Sequence, residues 1–494
     1  MSTSIDHGAT LDLSRPNTHL HIGSERLAEG SAGVFEHVNP ATGDVDKEIP
    51  LAGPREVDRA VETAHEAYKS WRTSQPAHRR NLLLKLADLI EAHGDEFARR
   101  GAMDNGTPLA VGTGMVTTSV EWTRYYAGWA DKLSSDVTST ITADGEFGYT
   151  LRQPYGVIGI IITWNGPLIS LAMKIPAALA AGNTVVVKPS ELTPFSGELF
   201  ADLVAEAGFP PGVVNILPGD AAAGASLVSH PKVQKVSFTG GPATARKILA
   251  ACAEDMKPAV LELGGKSANI VFDDADLDAA CGLGTMMAVG LLSGQGCAFP
   301  TRMLVQDNIY DDVLARVAAV AGSVVPGDPF APNIMTGPVV NKAAYERILG
   351  VIEQAKADGA RLLTGGQALS LGGDNAGGYF IEPTVFADVD PWSDLAQNEV
   401  FGPVLAITKF STEEEAIEIA NATRYGLSGY IQTKDLKRGL RVAEAMVTGE
   451  VLINGAANLA VNRPFGGLGV SGLGKEGGFA GIDEFLRTKG VAIA

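Results

Sequence analysis

Between Tyr155 and Gly264 short β-branched runs alternate with helical stretches: Val157 to Ile162, Thr184 to Val187, Val213 to Leu217, Val233 to Phe238 and Ala259 to Leu263. This βαβαβ series specifies a parallel sheet with helices on both faces, since parallel neighbours are joined by a crossover that a helix usually supplies. Ligands of open sheets of this kind bind at the carboxyl ends of the strands. Polar residues that directly follow these runs are therefore the first candidates for a site.

A second α/β pattern begins near Ser267 and runs past Phe410, with strands expected at Ala268 to Phe272, Arg302 to Val305 and Val404 to Lys409. A chain of 494 residues fits about three lobes, at roughly 150 residues for each. Upstream, apolar residues recur at helical spacing from Glu56 to about Arg100, with a breaker at Gln75-Pro76. A Gly-rich interval follows at Gly101 to Gly114, then a further helix from Val120 to Leu133. Its aromatic stripe, Trp122, Tyr125, Tyr126 and Trp129, reads as core packing. The Gly-rich run Gly466 to Gly478 marks irregular, close-packed backbone. No fixed-period repeat or heptad series occurs.

The formal net charge of −18 repels phosphate backbones and anionic lipid, so neither nucleic acid nor a membrane surface is expected as a partner. No stretch approaches the roughly 20 unbroken apolar residues of a membrane span. Met1 to Leu20 lacks an apolar leader core, so a cytoplasmic setting is expected. The three cysteines, Cys252, Cys281 and Cys297, form no Cys-x-x-Cys pair and should be reduced thiols. His19 and His21 lie near the start of the chain, where supporting carboxylates are not expected, so no metal is expected.

Cys297 sits in Gly294-Gln295-Gly296-Cys297, where small neighbours leave a thiol accessible and let backbone N–H groups approach whatever bonds to sulfur. An isolated cysteine of this kind is most often a buried hydrophobe. Glu262-Leu263-Gly264-Gly265-Lys266 ends an expected strand, and its glutamate is either a solvated strand end or a general base. Trp164-Asn165 follows another strand; Asn is a common turn residue, yet its amide is also what a tetrahedral oxyanion needs. Lys188-Pro189-Ser190-Glu191 follows a third strand. Phe238-Thr239-Gly240-Gly241-Pro242 opens a helix whose N–H groups could face a pyrophosphate, although it is no G-x-G-x-x-G fingerprint.

From about Val38 to Glu484 the sequence resembles the aldehyde dehydrogenase superfamily. The resemblance rests on TWNGP, LAAGNTVVVKPSELTP, FTGG, LELGGKSANIVF, GQGCAFPTR, NEVFGPVL and PFGGLGVSGLGKEGG, in order and spacing. It implies an α/β fold with a Rossmann-type cofactor lobe (20–131 and 153–264) and a catalytic lobe (265–465). It further implies a small β oligomerisation arm (132–152 and 480–494) that makes a homodimer or homotetramer; residues 1–19 are expected to be a flexible tail. The resemblance makes Cys297 the nucleophile and Glu262 the base, and sets the Asn165 side chain with the Cys297 N–H as the oxyanion hole. Lys174 matches a lysine beside the active site. For NAD, with NADP as the alternative, it implies Lys188 and Glu191 at the adenosine ribose, Trp164, Gly240 and Gly241 at the pyrophosphate, and Thr163 and Ser190 also in the cofactor site. Glu399 and Phe401 fall at the nicotinamide ribose, with Gly219, Phe238, Thr239, Leu263 and Gly264 also lining the cofactor site. Gly166, Ser170, Met173 and Phe465 are the implied aldehyde pocket.

Three features depart from the family pattern. The phosphate-side turn reads Gly240-Gly241-Pro242 with Ala245 at its end; Thr163-Trp164-Asn165-Gly166-Pro167 replaces a common Pro-Trp-Asn-Phe-Pro; and Met173 stands where an aromatic ring is frequent. Small or flexible side chains at Gly166, Ser170 and Met173 suggest a medium to large apolar or aromatic aldehyde, unless neighbouring loops fill the space. The implied reaction oxidises an aldehyde to an acid through a Cys297 hemithioacetal and thioester. Acyl transfer to coenzyme A or phosphate is opposed by Glu262, and a binding protein that had lost turnover would be expected to have lost Cys297 or Glu262.

Overall fold

The computed structural model describes residues 15–138, 147–455 and 459–493. Five parallel strands, Val157–Ile161, Thr184–Lys188, Val214–Ile216, Val233–Thr239 and Ala259–Glu262, realise the alternating pattern within one to two residues of its expected limits. The strand Val157–Ile161 is buried along its whole length, as a parallel strand covered on both faces must be. It lies between Thr184–Lys188 and Val233–Thr239, pairing Ile160 with Val187 on one side and Ser237 on the other. Successive connections therefore leave in opposite directions from this strand. That makes the segment after Ile161 the topological switch point, where a crevice opens.

Two edges complete this eight-stranded sheet. Leu20–Ile22 pairs antiparallel with Val214–Ile216 and carries Glu25–Leu27 outside it; at the far edge Gly472–Leu473 pairs antiparallel with Leu261 and Glu262. Residues near the chain start are thus part of the sheet, and His19, inside the expected flexible tail, is bonded through its backbone N–H to Glu198. Residues 1–14 of that tail lie outside the described residues. The Gly-rich run Gly466 to Gly478 is likewise no mere irregular segment, since it delivers an edge strand beside Glu262.

The second sheet has seven strands in the order Arg361–Thr364, Thr384–Ala387, Val404–Phe410, Arg302–Gln306, Ala268–Val271, Ser428–Gln432 and Glu450–Ile453, all parallel except the first. Leu277–Gly294 is apolar and long enough by composition to cross a membrane, yet it is broken into α, π and 3-10 turns with left-handed Leu292 and Ser293. Part of it, from Cys281 to Val289, packs into the core beside this sheet.

Helices Pro54–Trp71, Pro76–Ala92, Gly94–Asn105, Leu109–Trp129 and Pro167–Ala180 flank the first sheet. The expected glycine-rich interval is a correction: most of Gly101 to Gly114 is helical, interrupted only around Gly106–Pro108. Gly112 is there for packing, since a Cβ would stand 3.1 Å from Ala98 Cα of the neighbouring helix. Pro167–Ala180 is buried at every position but Ile169, which is why it is apolar all round. Finally, Phe147–Pro154 pairs antiparallel with Leu486–Ile493 in a separate two-stranded ribbon. The ribbon overlaps the expected arm at residues 147–152 and 486–493, and residues 139–146 and 494 of that arm lie outside the described residues.

Candidate active site

Two cavities meet at Cys297. The first, about 560 Å³, opens at the switch point and is lined by Thr163, Trp164, Lys188, Ser190, Glu191, Phe238, Thr239, Gly240, Gly241, Leu263, Gly264, Glu399 and Phe401. Of the residues expected around a cofactor, Gly219 alone is outside this lining; its carbonyl accepts a 2.5 Å bond from Lys188 Nζ and so orients that side chain. The second cavity, about 1170 Å³, is lined by all four expected aldehyde-pocket residues, Gly166, Ser170, Met173 and Phe465. Thr163, Asn165, Thr239, Glu262 and Cys297 border both.

The loop that carries Cys297 is held from several sides. Leu292 and Ser293 take left-handed backbone angles, Ser293 Oγ donates to Gly337 O at 2.5 Å, and the Gln295 side chain accepts from Val340 N at 3.0 Å. Tyr430 hydroxyl donates to Ala298 O at 2.7 Å. Asn165 Nδ2 donates to Gln295 O at 2.9 Å, which anchors the amide against this loop and leaves its second N–H for another acceptor. Burial pushes the half-buried Cys297 thiol up to about 12, and the nearby Glu399 and Glu262 carboxylates add to the rise.

The glycine pair after Glu262 joins the two motifs through close approach. A Cβ at Gly264 would collide with the Glu399 carboxylate, and one at Gly265 with the Cys297 carbonyl. Gly265 N donates to Glu399 Oε1 at 2.9 Å. Burial lifts Glu399 to about 7 against that bond and the neighbouring Lys266 and Arg347 cations. Lys266, fully buried without a hydrogen bond at Nζ, is lowered to about 7, chiefly by burial.

Glu262 is buried, and neither carboxylate oxygen has a partner. Its carboxyl is held well above the ordinary range, first by burial and then by the charge of Glu476. An unpartnered carboxyl facing a cavity is poised to bond something that enters it. Lys174 is beneath the cavities and lines neither; its Nζ is buried in an ion pair with Glu476 and donates to Ser237 Oγ at 3.0 Å.

Glu476 lines the larger cavity and escaped sequence reasoning, as did the backbone around it. Leu263 N donates to Ser471 O at 2.9 Å, and Ser471 Oγ donates to Gly264 O at 2.7 Å. Gly466, at φ +151, has no room for a Cβ beside Glu262 Oε1. The only signal was Lys475-Glu476 embedded in the glycine run. The aromatic stripe also divides: Trp122 and Tyr126 are core, while Tyr125 lines the larger cavity.

Elsewhere the expectation that His19 and His21 lack carboxylates is corrected. His19 Nδ1 is 2.7 Å and His21 Nε2 2.9 Å from the carboxylate of Glu198, which the fold brings from 177 residues or more away.

The family model for "Aldehyde dehydrogenase family" matches residues 27–491. The chain belongs to the aldehyde dehydrogenase family. It is 42% identical over 481 residues to the mitochondrial aldehyde dehydrogenase of Homo sapiens, covering 96% of this chain and 91% of that one. With the aldehyde dehydrogenase of Davidiella tassiana it shares 41% identity over 479 residues, 96% and 95% of the two chains. Among solved structures, the NAD+ complex of a Bacillus cereus aldehyde dehydrogenase superposes with TM-score 0.92 at 39% identity, over 97% of this chain and 96% of that one. Betaine aldehyde dehydrogenase of Staphylococcus aureus in complex with NAD+ gives TM-score 0.92 at 32% identity, over 96% and 94%. As a member of the family the chain is an oxidoreductase that converts an aldehyde to its carboxylic acid.

Proposed function

We propose that this aldehyde dehydrogenase uses Cys297 as nucleophile, Glu262 as general base and Asn165 as oxyanion donor, with NAD in the smaller cavity and the aldehyde in the larger. The observation that carries this reading is the meeting of the two cavities at these three residues. The smaller cavity suits a dinucleotide. Gly241 caps the helix Pro242–Glu254 with open space where a Cβ would be, Pro242 occupies its first turn, and the helix N-terminus favours an anion there. Glu191, 3.5 Å from Lys188 Nζ, is placed to accept from ribose hydroxyls. The cofactor supplies the hydride acceptor.

The rest falls to this chain's own groups. Cys297 sulfur forms a bond to the aldehyde carbon as the thiol proton passes to water in the cavity, and the free N–H of Asn165 with the Cys297 N–H receives the oxyanion. After the substrate carbon has given up its hydride, the acyl group remains on sulfur as a thioester. Glu262 then takes a proton from water, whose oxygen attacks the acyl carbon, and the carbon–sulfur bond breaks to release the acid. The unpartnered carboxylate oxygens of Glu262 support that role, because a water molecule would supply the donor they lack. The buried Lys174–Glu476 pair beside Glu262 acts on its charge in opposite directions, Glu476 raising and Lys174 lowering its proton affinity.

The apolar wall of the larger cavity, with Met115, Ile169, Leu292 and Leu459, favours a medium to large apolar or aromatic aldehyde. Glu191 would repel a 2′-phosphate, so NAD is the preferred cofactor and NADP the weaker one. Glu191→Gln should move the kcat/KM ratio toward NADP by roughly tenfold, the effect of removing one adjacent like charge. The ribbon Phe147–Pro154 with Leu486–Ile493, standing apart from both sheets, is the proposed arm for a homodimer or homotetramer. The first sheet with its helices is the cofactor lobe and the second the catalytic lobe. Three unpaired cysteines fit a reducing, cytoplasmic setting.

The test is absorbance of reduced nicotinamide with NAD or NADP and a series of short, long-chain and aromatic aldehydes. Faster kcat/KM for octanal and a phenyl-substituted aldehyde than for acetaldehyde supports the substrate class, and the reverse order refutes it.

A further inference from the structure

Outside the active site, the start of the first sheet gathers a ligand set with no part in the chemistry above. His21 lies in the Leu20–Ile22 strand and His19 immediately precedes it, two positions away, so both rings reach the same carboxylate. Helix Phe195–Ala207 faces them with Glu198 in its first turn. Glu198 lies between the two rings: Oε1 is 2.7 Å from His19 Nδ1, Oε2 is 2.9 Å from His21 Nε2, and Oε2 also accepts the His19 backbone N–H at 2.8 Å. One donor atom from each of the three side chains lies within 4.8 Å of the others.

We propose that His19, His21 and Glu198 form a binding site for a divalent metal of the zinc type, separate from catalysis. Two imidazoles and one carboxylate match the preference of Zn²⁺, Co²⁺ or Ni²⁺, whereas Mg²⁺ and Ca²⁺ take oxygen ligands. The Glu198 side chain is 6% exposed, His21 12% and His19 24%, so the set is built into the fold yet open on the His19 side, where solvent can complete the coordination. Around zinc, donors at about 2.0–2.1 Å in a tetrahedron stand roughly 3.3 Å apart. The 2.7 and 2.9 Å spacings, which run to the two different oxygens of Glu198, would each open by about half an ångström as a metal replaces the shared protons, and the three donor atoms already lie within 4.8 Å of one another. A carboxylate with two neutral imidazoles carries one negative charge to meet a dication.

Asp202 follows Glu198 by one turn, and Arg26 pairs with it, leaving that carboxylate engaged outside the ligand set. A bound ion would cross-link the first strand to the helix that succeeds Lys188–Glu191. It would stabilise the cofactor lobe while leaving the reacting groups untouched.

The experiment uses the full chain carrying Cys297→Ser, which removes the active-site thiol as a competing metal ligand, after chelation and desalting. Equilibrium dialysis should find one Zn²⁺ per chain, Co²⁺ should develop weak visible bands without a thiolate charge-transfer band, and either metal should raise Tm while Mg²⁺ does not. His19→Gln and His21→Gln should each weaken binding roughly tenfold or more. Glu198→Gln should do the same; if that variant fails to fold, the two histidine variants still decide. Zinc binding left unchanged by both histidine variants, or lost on altering the separate Asp58, Glu62 and His230 cluster, would overturn the assignment. So would the absence of any saturable site.

Discussion

The two cavities that meet at Cys297 are built in different ways. The smaller one is walled largely by strand ends, glycines and helix N-termini, and its shape depends on backbone brought into contact, as where Gly264 abuts Glu399. The larger one is walled by side chains from distant helices and loops, including Met115, Tyr125, Leu292, Leu459 and Phe465. A backbone-shaped cavity tolerates few changes, because a single added methyl has nowhere to go. A side-chain-shaped cavity can be resized without disturbing the chemistry. One enzyme can thus hold its cofactor geometry constant and leave substrate choice free.

The largest expected effect lies where the cavities join. Cys297→Ala should lower kcat by more than about 10⁴-fold with cofactor affinity nearly unchanged, since it deletes the proposed nucleophile and removes only one sulfur atom from the smaller cavity's lining. Steady-state turnover and NAD titration by fluorescence check both halves, and retained turnover would remove Cys297 from the mechanism. Glu262→Gln should cost about 10²–10⁴-fold in steady-state rate. Rapid mixing should show one burst of NADH followed by slow turnover. In the unaltered enzyme a Glu262 carboxyl raised by burial stays protonated, and inactive as a base, until the pH exceeds its elevated value. Deacylation should therefore rise with pH above the ordinary carboxylate range, and the Gln variant should lose that limb. A normal burst-free rate in the variant would assign the base elsewhere.

Two smaller effects set the walls against each other. Gly264→Ala drives a methyl into the Glu399 carboxylate, so KM for NAD should rise by roughly tenfold, a cost within the about 1–3 kcal/mol of overpacking, for every aldehyde alike. Gly166→Phe should leave NAD binding and acetaldehyde turnover near their original values while impairing octanal and phenyl-substituted substrates. If the larger cavity binds apolar chains, each buried methylene adds about 0.8 kcal/mol, near fourfold in kcat/KM, until the chain reaches the end. A Gly166→Phe variant that lost all aldehydes equally would break the distinction between the two walls.

How much was legible before the structure varied along the same division. The five parallel strands could be read locally, because burial on both faces writes an unbroken β-branched run, and Glu262 and Asn165 lie at or just past the ends of such runs; Cys297 follows a 3-10 turn instead and was singled out by the family resemblance. The edge strands could not be read locally. Leu20–Ile22 and Gly472–Leu473 are two or three residues long, below the length at which periodicity speaks, and they join the sheet only because distant partners hold them there. Gly101 to Gly114 was misleading for a related reason: Gly112 serves a close crossing with the helix that carries Ala98, which depends on that neighbouring helix and not on local preference.

By itself the sequence determined the α/β class, which is written in local pattern, and its resemblance to one family pointed to the groups proposed here to carry acyl chemistry. Tertiary structure alone decided that Glu476 and the 466–478 run close over Glu262, that Tyr125 leaves the core for the cavity, and that Glu198 stands between His19 and His21. Each of these is a contact between segments far apart in the chain. Such a contact is set by how whole elements pack, and neither partner carries a sign of the other in its own neighbourhood.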